Sequence, residues 1–284
     1  MSGAKVSRIG TTIGERFRLD ELIGRGAMAE VYRALDLQTQ AFVALKILRH
    51  QHVTDSVSLA RFAREADVQA RLRHRNVAAL LATGVTQEKY EPYLAVELLR
   101  GRSLRSVIKA EGPVAPRRAA SYVWQALQGL HAVHQAGVLH RDLKPANIML
   151  EPSPGPIERV VLIDFGFATF EGSAKLTLQG TVVGSLTYIA PERLRAEEPD
   201  QRADIYALGV VLFELLTGRP PFEAEDDFDL ISMHLNDAPP SVGDAGRLLD
   251  PIIGRALAKA PADRYADAAE MAAAVEHAAT QLTE

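Results

Sequence analysis

The sequence contains no cysteine. Disulfides and cysteine-ligated zinc sites are therefore excluded, and a reducing compartment suits the chain. No apolar run is long enough to cross a bilayer. The longest, from Ile205 to Leu216, is short and interrupted by Tyr206 and Glu214. Lys5 and Arg8 near the start are followed by no apolar stretch, so no signal peptide is read there. Basic charge is not in excess. Lys and Arg number 32 against 36 Asp and Glu, a net charge of −4, so the electrostatic footprint that nucleic-acid binding needs is missing. Internal repeats and low-complexity tracts are absent as well. These absences lead to the expectation of a soluble, cytoplasmic protein with no nucleic-acid partner and no membrane segment.

What is present is ordinary for a globular chain. The 284 residues are 47% hydrophobic and 24% charged, enough for one large domain or two modest lobes. Residues 1 to 13 are polar and rich in Gly, Ser and Thr, and are expected to form a tail. From Phe17 to Val31 and from Phe42 to Leu48, short β-prone runs are separated by glycines. Ser58 to Arg73 has Leu59, Phe62, Ala66 and Ala70 at helical spacing, and Val77 to Leu81 and Tyr93 to Leu98 read as strands. Beyond Gly101 helices dominate, at 116 to 136, at 202 to 217 before Gly218, and from Asp267, whose spacing to Glu270 suits a capping box. The expectation is a small β-rich lobe over residues 14–99 and a larger helical lobe over 100–284.

Several strings carry chemistry. Gly24-Arg25-Gly26-Ala27-Met28-Ala29-Glu30-Val31 places glycines on a turn between strands, where backbone amides can approach a polyphosphate without Cβ interference. Alone, such a string is more often an ordinary hairpin turn. A dinucleotide-binding reading fails because the string runs into Val31-Tyr32-Arg33, not into a helix. Lys46 in Val43-Ala44-Leu45-Lys46 and Glu65 in the following helix are, singly, best read as solvated charges. The string His140-Arg141-Asp142-Leu143-Lys144-Pro145-Ala146-Asn147 changes the balance, because Asp164-Phe165-Gly166 and Ala190-Pro191-Glu192 follow it in order. Each triplet is common, but the ordered set behind a glycine loop and a lysine is not.

From about Phe17 to Tyr265 the chain resembles the eukaryotic-like serine/threonine protein kinases, in wording closest to bacterial members. The resemblance implies an α+β, bilobal protein-kinase fold, with a small β-rich N-lobe carrying one main helix and a larger, mainly helical C-lobe. It implies transfer of the γ-phosphate of ATP to serine or threonine hydroxyls of protein substrates, with Mg²⁺ (Mn²⁺ as an acceptable substitute). By the same resemblance Asp142 orients the attacking hydroxyl, and Lys144 lies near the transferring phosphoryl. Asn147 and Asp164 hold the metal, and Lys46, held by Glu65, touches the phosphates. Gly24 and Gly26 cover the phosphates, while Val31, Ala44, Val96, Glu97, Leu99 and Met149 surround the adenine. Asp204 is implied to brace the catalytic-loop backbone and Glu192 to pair with Arg264.

Arg141 directly before Asp142 marks kinases whose activation loop is ordered by phosphate–arginine pairing. Autophosphorylation at Thr177 or Thr181 is therefore expected, with a homodimer during that step. Two departures stand out: Ala29 replaces a glycine, and Gln69 occupies a position, four residues after Glu65, that is more often apolar and stacks on Phe165. The competing readings are a nucleotide-binding pseudokinase scaffold and a small-metabolite kinase. Intact Lys46, Asp142 and Asp164 oppose the first; Ala190-Pro191-Glu192, Asp204 and Arg264 oppose the second. Bacterial members are often the catalytic part of membrane-tethered receptor kinases, so such a tether is the alternative to a free cytoplasmic enzyme.

Overall fold

Turns at 14–16 and 37–40 close two antiparallel hairpins, with Gly14, Glu15 and Gln40 all at φ +56°. The computed structural model describes residues 8–26, 28–155, 157–164 and 186–282, and it divides into two units. The first unit comprises residues 1–73 and 78–100. Its strands are β1 (Thr12–Ile13), β2 (Phe17–Arg25), β3 (Ala29–Asp36), β4 (Ala41–Leu48), β5 (Leu80–Val85) and β6 (Pro92–Glu97), with the helix α1 (Ser56–Arg71) between β4 and β5. They form an antiparallel sheet in the order β1-β2-β3-β4-β6-β5.

Two apolar clusters hold this unit. Phe17, Leu19, Tyr32, Ala34, Val43, Leu45, Ile47, Tyr93 and Ala95 form one. Ala29, Leu48, Leu94 and Phe62 form the other, with Leu59 and Ala66 from the apolar stripe of α1 packed against it. Asp55 caps α1 by accepting from the Val57 and Ser58 N–H groups. Within the 1–13 segment read as a tail, residues 10–13 are paired to the sheet. Gly10 N–H donates to Leu19 O at 2.8 Å, Leu19 N–H donates to Thr11 O at 2.9 Å, and Ile13 packs on the Phe17 cluster.

The second unit comprises residues 74–77 and 101–284. Its elements begin with β7 (Arg102–Ser103), α2 (Leu104–Glu111), α3 (Pro116–Gln135), β8 (Ile148–Glu151) and β9 (Arg159–Leu162). They continue with α4 (Pro191–Leu194), α5 (Gln201–Thr217), α6 (Asp227–Asn236), α7 (Asp250–Ala256) and α8 (Ala268–Ala279). α5 is apolar around most of its circumference, as a helix at the centre of a core must be. Ile205, Leu208, Val210, Val211, Leu212 and Leu215 are all fully buried. It ends at Gly218, whose φ of +78° closes a left-handed C-cap.

The strand expected at Val77 to Leu81 lies instead at Leu80–Val85. The reason is Asn76, whose Nδ2 donates to Val160 O at 2.7 Å and whose carbonyl accepts from Leu162 N–H at 2.9 Å. These bonds tie residues 74–77 to β9, and Val77 bridges Leu162. Among the described residues, no helix is long and apolar enough to cross a membrane.

Candidate active site

In the first unit, β2 and β3 meet in a hairpin in which Gly24 pairs with Val31 and Arg25 with Glu30, and Gly26 N–H donates to Ala29 O at 2.9 Å. Neither glycine has a left-handed φ, and a Cβ on Gly24 would meet nothing nearer than Val31 Cβ at 3.5 Å. A Cβ on Gly26 would meet Ala29 O at 3.4 Å. The turn itself therefore does not demand glycine at either position, which weakens the reading of a plain hairpin. Ala29, the departure from the third glycine, is 5% exposed and packs with Leu48 and Phe62.

Lys46 sits on β4, opposite Val31 on one side and Leu94 on the other. Its Nζ lies 2.6 Å from Glu65 Oε1, with the side chains 19% and 8% exposed. A pair this weakly exposed is not an incidental surface contact. Ala44 is buried, whereas Val31, Val96, Glu97 and Leu99 are partly buried. Ala44 and Val96 are direct neighbours across β4 and β6, and Glu97 N–H donates to Ala79 O at 2.9 Å. Gln69, one turn along α1 from Glu65, is 4% exposed, and its Oε1 has no hydrogen-bond partner among the described residues.

In the second unit, the loop 140–147 is held from behind by Asp204 on the first turn of α5. Its Oδ2 accepts from His140 N–H and its Oδ1 from Arg141 N–H, both at 2.8 Å. This holds Arg141 at φ +66°, a conformation costly for a non-glycine residue and sustained here by the surroundings. His134 on α3 is a third partner of the same carboxylate: Nε2 lies 2.9 Å from Asp204 Oδ2. Burial alone would push the Asp204 carboxyl up. The His134 hydrogen bond and charge, with the nearby His140 and the Arg141 N–H, overcome it and hold the group below its ordinary value.

The business side of the loop gathers three predicted residues. Lys144 Nζ lies 2.8 Å from Asp142 Oδ2 and 3.0 Å from Oδ1. Asn147 Nδ2 donates to Asp142 Oδ2 at 2.8 Å and to Asp142 O at 2.9 Å. Among the described residues, Oδ2 thus carries two donors and Oδ1 only the longer lysine contact. Asp142 keeps 31% side-chain exposure, so it remains reachable. Because both contacts of the Asn147 amide nitrogen fall on Asp142, its Oδ1 is turned away from them. Asp164, at φ +51°, follows β9, and Ile163 N–H donates to Asn147 O at 3.0 Å. Met149 lies on β8, paired with Ser103 and Val161. Among the described residues no cluster of three His, Asp or Glu forms a self-contained metal cage. An Asn and an Asp oxygen suit a hard cation that takes its other ligands from water or phosphate.

Phe165, Thr177 and Thr181 lie outside the described residues. Beyond them, Glu192 on α4 forms a buried two-pronged pair with Arg264, Nη1–Oε1 and Nη2–Oε2 both at 2.8 Å. Sequence reading assigned no role to Arg193, the next residue, although it stands directly after Ala190-Pro191-Glu192. Its Nη1 donates to Arg141 O at 2.8 Å.

The protein kinase domain family matches residues 17–276. The chain belongs to that family. A probable serine/threonine-protein kinase of Corynebacterium efficiens is 39% identical over 276 residues, covering 93% of this chain and 41% of the relative. The serine/threonine-protein kinase pkn3 of Myxococcus xanthus is 39% identical over 271 residues, 92% of this chain and 49% of its own. PknB of Mycobacterium tuberculosis is 38% identical over 269 residues, 92% and 42%. The kinase domain therefore spans less than half the length of these relatives. The crystal structure of the Mycobacterium tuberculosis PknI kinase domain superposes with a TM-score of 0.74 at 28% identity, covering 95% of this chain and 98% of that one. The α+β protein-kinase fold, with a β-rich unit carrying one main helix and a mainly helical unit, is thereby shown.

Proposed function

We propose that this kinase domain transfers the γ-phosphoryl group of ATP to serine or threonine hydroxyls of proteins. The observation that carries the reading is the Asp142–Lys144–Asn147 constellation, in which one carboxylate oxygen takes two donors and the other, with only the longer lysine contact among the described residues, keeps a lone pair for a substrate hydroxyl. Kinase membership brings ATP as the phosphoryl donor and a divalent cation; Mg²⁺ is the ion we assign, with Mn²⁺ as its substitute. Asn147 Oδ1 and the Asp164 carboxylate would hold it, and when bound it neutralises phosphate charge.

In this reading the bond between the γ-phosphorus and the β,γ-bridging oxygen breaks, and a new phosphorus–oxygen bond forms to the acceptor hydroxyl. Asp142 Oδ1 accepts the hydroxyl proton. Lys144 holds the Asp142 carboxylate and offers positive charge to the moving phosphoryl. Lys46 contacts the α- and β-phosphates and Glu65 keeps it extended toward them. Gly24 and Gly26 allow backbone approach to the phosphates, which explains glycines that the hairpin does not require. We assign adenine contacts to Val31, Ala44, Val96 and Met149, and hinge hydrogen bonds to the Glu97 and Leu99 backbones. The lysine two residues after Asp142 favours serine and threonine acceptors. Arg141 is assigned the phosphate of an autophosphorylated Thr177 or Thr181, formed between two copies of the chain.

Phosphoamino-acid analysis tests the acceptor class. The chain is incubated with ATP, Mg²⁺ and a basic protein, and the labelled product is hydrolysed. Phosphoserine and phosphothreonine are expected; phosphotyrosine alone would overturn the assignment.

A further inference from the structure

Asp142 can serve only if the strained backbone before it keeps one orientation. Each peptide group flanking Arg141 has two handles. The N–H groups of His140 and Arg141 are taken by Asp204, at 2.8 Å each. The Arg141 carbonyl, which belongs to the same peptide plane as the Asp142 N–H, is taken by Arg193 Nη1 at 2.8 Å. On the other edge of that plane, Asp142 N–H finds, among the described residues, only a long 3.4 Å contact to His140 Nδ1. The plane is therefore fixed chiefly through its carbonyl, and the group that fixes it is Arg193.

Arg193 is itself fixed. It lies on α4, a four-residue helix that begins with Pro191 and whose second residue, Glu192, is locked to the fully buried Arg264. The Arg193 guanidinium is drawn into the fold at a cost. Burial pushes its pKa below the ordinary arginine value, against the attraction of Asp204, Asp142 and Glu192. A charge carried inward at this cost, and bonded to a carbonyl rather than to a carboxylate, calls for more than surface solubility.

We propose that Arg193 is a positioning residue for phosphoryl transfer, clamping the Arg141 carbonyl so that the Asp142 carboxylate is held in its reactive orientation. The assignment rests on the proposed kinase activity and extends it from the loop to α4. Arg193 touches neither nucleotide nor acceptor in this account. It acts on the turnover step through the backbone of Arg141, and loss of the clamp lets the 141–142 peptide turn about Arg141 ψ and Asp142 φ, next to the left-handed Arg141.

The test is steady-state phosphorylation of a basic protein by the wild-type chain, Arg193→Met and Arg193→Lys, each with a thermal melt. A misplaced reacting group costs about 10- to 100-fold in rate, so Arg193→Met should lower kcat by that factor. The KM for ATP should stay within about twofold, because the interaction belongs to the turnover step. Arg193→Lys, which retains the charge and N–H donors at the end of a flexible stem, should recover at least about threefold of the loss. A purely structural arginine would instead move the melting temperature and leave kcat per folded molecule unchanged. If Arg193→Met does not fold, Arg193→Gln, which keeps an amide donor, is measured in its place against the same criteria. An active wild type with kcat of the methionine or glutamine variant within about twofold overturns the clamp and leaves the kinase reading standing. Failure of the wild type to label any protein would instead sink the kinase reading, and the clamp with it.

Discussion

Lys46 Nζ lies 2.6 Å from Glu65 Oε1, a strand lysine joined to a helix glutamate nineteen residues along the chain. The two side chains are 19% and 8% exposed, so the pair is held within the first unit and not on its surface. Removing one partner leaves a poorly hydrated charge behind, which is costly.

Lys46→Met is accordingly expected to lower kcat/KM for ATP by about 10²-fold or more, the scale of losing a charge that stabilises the transition state. Glu65→Gln should do the same more mildly, since the lysine stays but loses its orientation. Kinetics with ATP as the varied substrate checks both. An unchanged kcat/KM in Lys46→Met would remove Lys46 from the phosphate site.

Gln69 is 4% exposed, with an Oε1 that finds no partner among the described residues. An unpaired buried amide costs about 1–3 kcal/mol. Gln69→Leu should therefore raise the melting temperature by about 2–4 °C per kcal/mol recovered. It should also raise basal labelling, because a well-packed α1 holds Glu65 toward Lys46. Stability gained without activity would separate packing of α1 from control of the enzyme.

His234 is fully buried, with Tyr206 Oη at 2.8 Å from its Nδ1, Phe222 packed edge-on, and Lys259 Nζ donating to the His234 carbonyl at 2.9 Å. Burial first, and the Lys259 charge second, lower its pKa to about 4. A histidine depressed in the folded state takes its proton less readily than the unfolded chain does. Its contribution is complete above about pH 6.5 and is lost as the pH falls toward 4, a loss of roughly 2–3 kcal/mol. Melting temperatures between pH 7 and pH 4.5 should fall less steeply in His234→Gln than in the wild type. Parallel slopes would show that His234 is not the group responsible.

Glu192 and Arg264 form the most buried ion pair described, with Arg264 also donating to the carbonyls of Ala258, Lys259 and Arg202. Glu192→Ala strands the guanidinium and should cost about 3–5 kcal/mol. Urea denaturation measures it, and a change under about 1 kcal/mol would contradict the burial.

Much of this was legible in the sequence because the catalytic groups come in short strings. Asp142, Lys144 and Asn147 lie within six residues, so a 3₁₀ turn at Pro145–Asn147 suffices to bring them together. Lys46 and Glu65 were legible only through the ordered set of motifs around them, since each alone reads as a surface charge. What escaped were partners distant in sequence. Arg193 meets Arg141 across 52 positions and His134 meets Asp204 across 70, and no periodicity announces either contact. The strand expected at Val77 was displaced for the same reason, by the bonds of Asn76 to a β9 more than eighty residues away.

The most direct test is incorporation of radiolabelled γ-phosphate from ATP and Mg²⁺ by the purified chain beside Asp142→Asn, with bound nucleotide measured in both. The asparagine keeps the shape of the loop but cannot take the hydroxyl proton. Labelling should fall by about 10²- to 10⁴-fold while ATP binding is retained. Equal labelling by the two proteins, or none by the wild type with ATP bound, would contradict the account.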